Sequence, residues 1–477
     1  MKRILLSGFV YTALGRYGGV VISLLVDIVL SRLLTPSDYG IVAVVNVFLI
    51  FFSLFSDSGI GTAVVQNRLL TKKEINILFT LSLVLALVLS LLFGFFGIAI
   101  SFLYNSAVYK SLMWILSLAV FFSVFIAIPK AALLRDNKFG VINLLSLISS
   151  IFGGITGIIL AYSGFGVFAL VLSTVVTTTS NFVFIWYFSH VRLTRKINLN
   201  PARKIFSFSA NNLGFSLLNQ IAHNLAPILI GKFMTTSDAG NYNKAYRLIL
   251  YPTAMFNGLI APVLLPVLSK YHNDIKSVRD VYLKLQHITG LIALPLSIFL
   301  FFSADDVIKV FYGTRWVDAG LPLAILGLSV WAQMLNANAE PIFQIVGKVK
   351  ILMKLGVRTS VINVIATILG VLTGNLILVS IFLLMSFTIN GFYVSYLVMK
   401  YALDSTLWQL LKVLKQGLII SVIQGLLLLL FKISAINIKL NSLNILIIDL
   451  LIFTMSFILL IVVLGEMSNI KKILSRN

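Results

Sequence analysis

Charged and amide side chains are scarce in this 477-residue chain, so those inside its apolar runs are the first candidates for chemistry. Arg16, Lys244 and Arg247 are cations within such runs, and the last two, three residues apart, share one face of a helix. Asp27, Asp57 and Asp449 are the carboxylates in equivalent settings. An ionisable group in an apolar run is costly and faces a cavity or a partner. Arg16 and Lys244 have a second reading, in which they snorkel to a membrane interface. Arg247 lies a turn deeper and reads as cavity lining. Asp27, deep in the first run, is the residue suited to coupling an ion, with a structural ion pair as the alternative. Asp57 precedes Ser-Gly-Ile-Gly, where a turn role is favoured, and Asp449 lies in the last run, away from the other candidates. One run carries a polar face of Asn211, Asn212, Asn219, Gln220, His223 and Asn224. Such amides can hydrogen-bond sugar hydroxyls or tie neighbouring helices together. His223 reads as a packing histidine before a proton carrier, and Asn336, Asn338 and Glu340 as capping or loop residues.

These residues form no catalytic or metal-binding constellation. The chain has no cysteine and four scattered histidines, which excludes disulfides, thiol catalysis and cysteine metal sites. No cofactor is expected, and no metal; coupling to a Na+ or H+ gradient is.

The elements that must position these side chains follow from composition. Hydrophobic residues make up 59% and charged residues 11% of the chain, and the mean hydropathy is +1.03. Soluble chains carry about 25% charged residues. Fourteen apolar runs lie near 11–33, 39–62, 76–100, 110–129, 140–161, 165–189, 205–230, 240–268, 281–303, 320–337, 355–374, 376–399, 409–431 and 441–465. Runs of this length read as membrane-spanning helices, so the expected class is an all-α integral membrane protein of about fourteen spans. With the N-terminus in the cytoplasm, 27 of the 37 Lys and Arg residues fall in cytoplasmic loops or at the run ends beside them, 7 in outer loops or at the run ends beside those, and 3 deeper within spans. That bias supports the count and places both termini in the cytoplasm. It also accounts for the net charge of +22 without nucleic acid. The N-terminal MKRILLSGFVYTALGRYGG begins like a signal peptide but lacks a small-residue cleavage site, and reads as a retained span.

The stretch LLTPSDYG at 33–40 returns as FMTTSDAG at 233–240. Thr35 and Thr235 stand where a helix N-cap belongs, with Asp38 and Asp238 at the third helical position, which resembles a capping box. Pro36 suits the first helical position. An even number of spans separates the copies, so two similarly oriented six-helix lobes are expected, related by a pseudo-twofold axis along the membrane normal. The domains read as an N-terminal lobe at 1–190, a basic cytoplasmic linker at 191–204, a C-terminal lobe at 205–400, and two additional helices with a tail at 401–477. Pro252, Pro262 and Pro266 punctuate the eighth run and predict a kinked helix.

A series of motifs resembles one family. LSRLLTPSDYG (30–40), FSDSGIGTAVVQ (55–66), IAIPKAALLRDNKFG (126–140), GFGVFALV (164–171), NLAPILIGKF (224–233), GNYNKAYRLILYP (240–252), LIAPVLLPVLS (259–269) and FYGTRW (311–316) together are similar to the Wzx-like polysaccharide transport proteins. These belong to the multidrug/oligosaccharidyl-lipid/polysaccharide superfamily, and the likeness is to its colanic-acid-exporter-like branch. Ala226 and Pro227 stand where family members often carry Asp-Asn. The resemblance implies two lobes around a central cavity plus two C-terminal helices, in the bacterial cytoplasmic membrane. It implies alternating-access flipping of an undecaprenyl-pyrophosphate-linked oligosaccharide, with membrane lipids, a polysaccharide polymerase and a chain-length regulator as further partners. Arg16, Lys244 and Arg247 would then meet the pyrophosphate, and Asn211, Asn212, Gln220, His223 and Asn224 the sugars. The competing readings are an ion-coupled small-molecule exporter of the same superfamily, a peptidoglycan-precursor flippase of a sister family, and a membrane polymerase or glycosyltransferase. For the last, Asp305, Asp306 and Asp318 are the only clustered acids in an expected outer loop, and their spacing carries no motif.

Overall fold

The structure, a computed structural model, describes residues 2–55, 61–67, 69–195, 198–203, 220, 224–268, 274–435 and 440–466, with backbone alone for 2–17, 257–268 and 349. Among the described residues every regular element is helical. Ten helices are long and apolar enough to cross a membrane, and a bent pair, Thr314–Gly327 with Val330–Ile345, makes an eleventh candidate. These take up the second to sixth and the ninth to fourteenth expected runs. The first and eighth runs fall on the helices Lys2–Leu33 and Thr236–Leu268, whose side chains are described in part. The seventh falls largely outside the described residues, which include only a helical stretch at 224–233 and the isolated residue 220. The bend of 51° divides the tenth run at Leu328 and Ser329. There the amides of both residues bond three positions back, at 3.2 and 2.9 Å, a tightened turn beside Gly327.

The chain forms two compact units, Met1–Gly240 and Asn241–Asn477. In the first, small residues set the helix spacing. Gly153, Gly154 and Gly157 line one side of the helix Phe139–Tyr162. A methyl group on Gly153 would lie 1.7 Å from Thr177 Oγ1, and one on Gly154 would lie 2.5 Å from a Val26 methyl. The helices Lys2–Leu33 and Val167–Ser189 therefore approach this one closely, as small-residue faces permit in lipid. A run of rings completes the core: Phe79 stacks on Phe125 at 4.5 Å, Phe125 on Phe182 at 4.7 Å, and Phe182 on Trp186 at 5.8 Å. They join Lys72–Leu103, Val108–Phe125 and Val167–Ser189. Beyond the last helix the chain is pinned back: Arg192 N donates to Asn76 Oδ1 at 3.1 Å and Thr194 N to Thr80 Oγ1 at 2.9 Å.

The second unit is organised on the 37-residue helix Ile275–Phe311. At 1.5 Å per residue it is about 55 Å long, well beyond the roughly 30 Å of a hydrocarbon core. Asp274 caps its start, accepting from Ser277 N at 3.2 Å and Ser277 Oγ at 2.6 Å. The helix Leu407–Ala435 crosses it glycine to glycine: a methyl group on Gly417 would meet Gly290 O at 2.6 Å. Tyr282, Leu335, Ile342, Phe343, Val398 and Met399 form the buried core beside that crossing.

Candidate functional site

Both copies of the repeated stretch are capping boxes. Thr35 Oγ1 accepts from Asp38 N at 3.2 Å while Asp38 Oδ2 accepts from Thr35 N at 3.0 Å. Thr235 and Asp238 repeat the exchange at 3.0 and 3.2 Å. The copies also touch: Ser37 Oγ and Thr236 Oγ1 are 2.8 Å apart. A methyl group on Gly40 would fall 1.7 Å from Thr236 O, and one on Gly240 would fall 1.9 Å from Pro36 O. Both glycines are there because backbone lies where a side chain would be. The copies differ one residue earlier, where Tyr39 is replaced by Ala239. Tyr39 OH donates to Asp27 Oδ1 at 3.4 Å, and Ser31 Oγ donates to Asp27 O at 2.5 Å and lies 3.4 Å from Tyr39 OH. Asp27 is thus a carboxylate only 4% exposed, held in a hydroxyl cluster on the helix Lys2–Leu33.

A second polar site forms around Lys130. The expected fourth span ends at 129, but Pro129 does not end the helix. It occupies the first turn of Ala127–Arg135, where no intrahelical N–H is needed, and the chain continues with only Ile126 between this helix and Val108–Phe125. Lys130 is therefore carried within the helical region as a half-buried cation. It lines a cavity of about 210 Å³ with Ser53, Ser123, Thr178 and Asn181, and a second of about 280 Å³ with Gly61, Thr62, Val65 and Gln66. One ammonium among hydroxyls and an amide can hold an anion and hydrogen-bond a polyol at the same time.

In the second unit, Lys244 is completely buried. Its Nζ lies 4.5 Å from the centroid of the Tyr312 ring and 5.2 Å from that of Trp316. The two rings are 6.0 Å apart, inclined at 57°, and buried to within 1%. Gly313, at φ +96°, makes the turn that sets Trp316 back against Tyr312. A cation between two ring faces at this distance gains about 2 kcal/mol when desolvated. Arg247, three residues on, is half-buried.

A family model described as "Polysaccharide biosynthesis protein" matches residues 29–320. The chain belongs to the polysaccharide biosynthesis protein family. The matched stretch takes in all the motifs quoted above, from LSRLLTPSDYG to FYGTRW. The teichuronic acid biosynthesis protein TuaB of Bacillus subtilis is 22% identical over 341 residues, covering 70% of each chain. The succinoglycan biosynthesis transport protein ExoT of Rhizobium meliloti is 23% identical over 301 residues, covering 63% of this chain and 61% of that one. Among solved structures, the lipid II flippase MurJ in an inward closed conformation superposes with a TM-score of 0.79 at 16% identity, covering 98% of this chain and 100% of MurJ. The chain shares the fold of MurJ.

In this member of the polysaccharide biosynthesis family, several expected site residues fall outside the description. Asn211, Asn212, Asn219, His223 and Asp57 lie outside the described residues, as does the side chain of Arg16. Of the amide face, Gln220 and Asn224 remain, and they bond each other, Asn224 Nδ2 donating to Gln220 Oε1 at 3.1 Å. Asn338 is a helix C-cap whose buried side chain also donates to Thr289 Oγ1 at 3.2 Å and Gln286 Oε1 at 3.4 Å. Sequence reasoning missed Lys130, because the expected fourth run stops at 129, one residue before it. It also missed a pair at long separation: His287 Nε2 lies 2.7 Å from Glu466 Oε2, with His287 Nδ1 2.9 Å from Val413 O. A carbonyl only accepts, so Nδ1 carries a hydrogen and Nε2 shares a proton with Glu466.

Proposed function

We propose that this protein is a flippase that carries an undecaprenyl-pyrophosphate-linked oligosaccharide from the inner to the outer leaflet of the bacterial cytoplasmic membrane by alternating access. The cargo is a repeat unit of O-antigen, capsule or exopolysaccharide. The observation that carries this reading is membership of a polysaccharide biosynthesis family by a chain built as a transporter. The name of ExoT adds transport to the biosynthetic role of a relative. The protein moves its substrate without making or breaking a covalent bond. Its orientation follows from the bias of basic residues, which puts both termini in the cytoplasm.

Within this reading, Arg16, Arg247 and Lys130 meet the pyrophosphate, which needs cations because it enters a low-dielectric space with its charge intact. Lys244 joins them by leaving the Tyr312 and Trp316 faces that cover it. Asn211, Asn212, Gln220, His223 and Asn224 meet sugar hydroxyls. Asp27 binds the coupling ion, Na+ or H+, and the polymerase and chain-length regulator receive the cargo. The test is deletion of the gene followed by analysis of lipid-linked intermediates. Undecaprenyl-linked oligosaccharide should accumulate on the cytoplasmic face. Repeat units that cross normally but remain unpolymerised would instead assign the protein to polymerisation.

A further inference from the structure

Asp449 is the only charged residue in the 22-residue helix Ser442–Val463, and it is completely buried. Its Oδ2 accepts from Ser303 Oγ at 2.8 Å and lies 2.8 Å from Lys432 Nζ. Lys432 Nζ in turn lies 2.6 Å from Asp306 Oδ2, and Asp306 is itself 7% exposed. Three helices therefore meet at one ammonium: Ile275–Phe311 supplies Ser303 and Asp306, Leu407–Ala435 supplies Lys432, and Ser442–Val463 supplies Asp449. The charges in this cluster do not balance, for two carboxylates face one lysine. Nearby on the same helix Asp305 and Lys309 are 3.5 Å apart and compensate each other; Arg315 and Asp318, one of each sign, follow on the turn Thr314–Ala319, and Lys439 lies outside the described residues. Asp449 Oδ1 is enclosed and receives no hydrogen bond. An ionised carboxylate with one oxygen dry, in a helix apolar enough to span a membrane, is a costly arrangement. Two carboxylates sharing one cation resolve this by keeping one proton on the pair.

We propose that the Asp306–Lys432–Asp449 cluster is a proton-binding site, in which one proton is held by the carboxylate pair and seated at Asp449 Oδ1. With the proton bound, the cluster is neutral and the last helix docks on Ile275–Phe311 and Leu407–Ala435. When the proton leaves, an uncompensated negative charge stands where the three helices meet. The inference rests on charge and burial within one unit and does not depend on the flippase reading.

Infrared difference spectroscopy of the full chain in lipid nanodiscs, titrated with pH, reads the proton directly. The expected result is a carboxylic-acid C=O band at neutral pH that is lost in Asp449→Asn. Because the proton belongs to the pair, the band is also lost in Asp306→Asn, where Asp449 and Lys432 balance one to one. An Asp280→Asn control, at an exposed carboxylate on Ile275–Phe311, retains it. A band that survives in both cluster variants, or no such band in the wild-type protein, overturns the proposal. Should Asp449→Asn fail to reach the membrane, Asp306→Asn alone decides it.

Discussion

Gly40 and Gly240 are the residues on which the repeated stretch turns. Each lies where the other copy's backbone leaves no room for a side chain. Gly40→Ala should force Pro36–Gly40 and Thr236–Gly240 apart and break the Ser37–Thr236 contact, with a lowered melting temperature of the purified protein as the readout. An unchanged melting temperature would mean the approach is looser than the structure has it. The caps are a smaller matter. Thr35→Ala or Thr235→Ala should cost about 1 kcal/mol each, as N-cap losses do. At the proposed site, Arg247→Ala and Lys130→Met should reduce transport strongly while membrane levels stay near wild type, judged by an export assay beside an immunoblot. Transport at the wild-type rate would remove the substituted residue from the site. The caps were legible in the sequence because both partners sit three positions apart. Asp27 was legible as a buried carboxylate, but Tyr39 as its partner was not, because nothing in the spacing of residues 27 and 39 says that the two helices meet there.

At the scale of elements, the C-terminal helices are tied to the long helix and to each other. The Gly290–Gly417 crossing brings backbones together, Gln424 Nε2 donates to Phe453 O at 2.9 Å, and His287 and Glu466 close one end. Glu466 is completely buried, so removing His287 takes away the group that meets its Oε2 in a site closed to water. His287→Leu should therefore destabilise the protein by about 3 kcal/mol or more, and the double variant with Glu466→Leu should recover most of that loss. Thermal unfolding of the four proteins of this cycle measures the coupling. An additive cycle would mean the pair contributes nothing specific. These ties were hidden in the sequence because they join residues 29 to 179 positions apart. A lone histidine or glutamate in an apolar chain shows its depth but not its partner. The bent pair at Thr314–Gly327 and Val330–Ile345 was hidden for a different reason. The break comes from a tightened turn at Leu328 and Ser329, which carries no proline to announce it.

For the whole molecule, hydropathy located the helices well, since eleven of the expected runs coincide with helices, or a bent pair, able to span a membrane. Apolar length is set by the thickness of the bilayer and can be read residue by residue. The family was legible too, because its motifs recur in order within the matched 29–320. What hydropathy could not supply is where Lys130 lies. A basic residue just past an apolar run looks like a loop residue, and only the continuing helix Ala127–Arg135 brings it beside the cavity. The central claim is that the protein carries a lipid-linked glycan across a bilayer, and the most direct measurement is reconstitution. Purified protein is placed in liposomes whose lipid-linked oligosaccharide starts in the inner leaflet, and the glycan is probed from outside with an impermeant glycosidase. The account predicts that the protein makes the glycan accessible, and that Arg247→Ala makes it much less so. Vesicles with and without the protein that protect the glycan equally would contradict it.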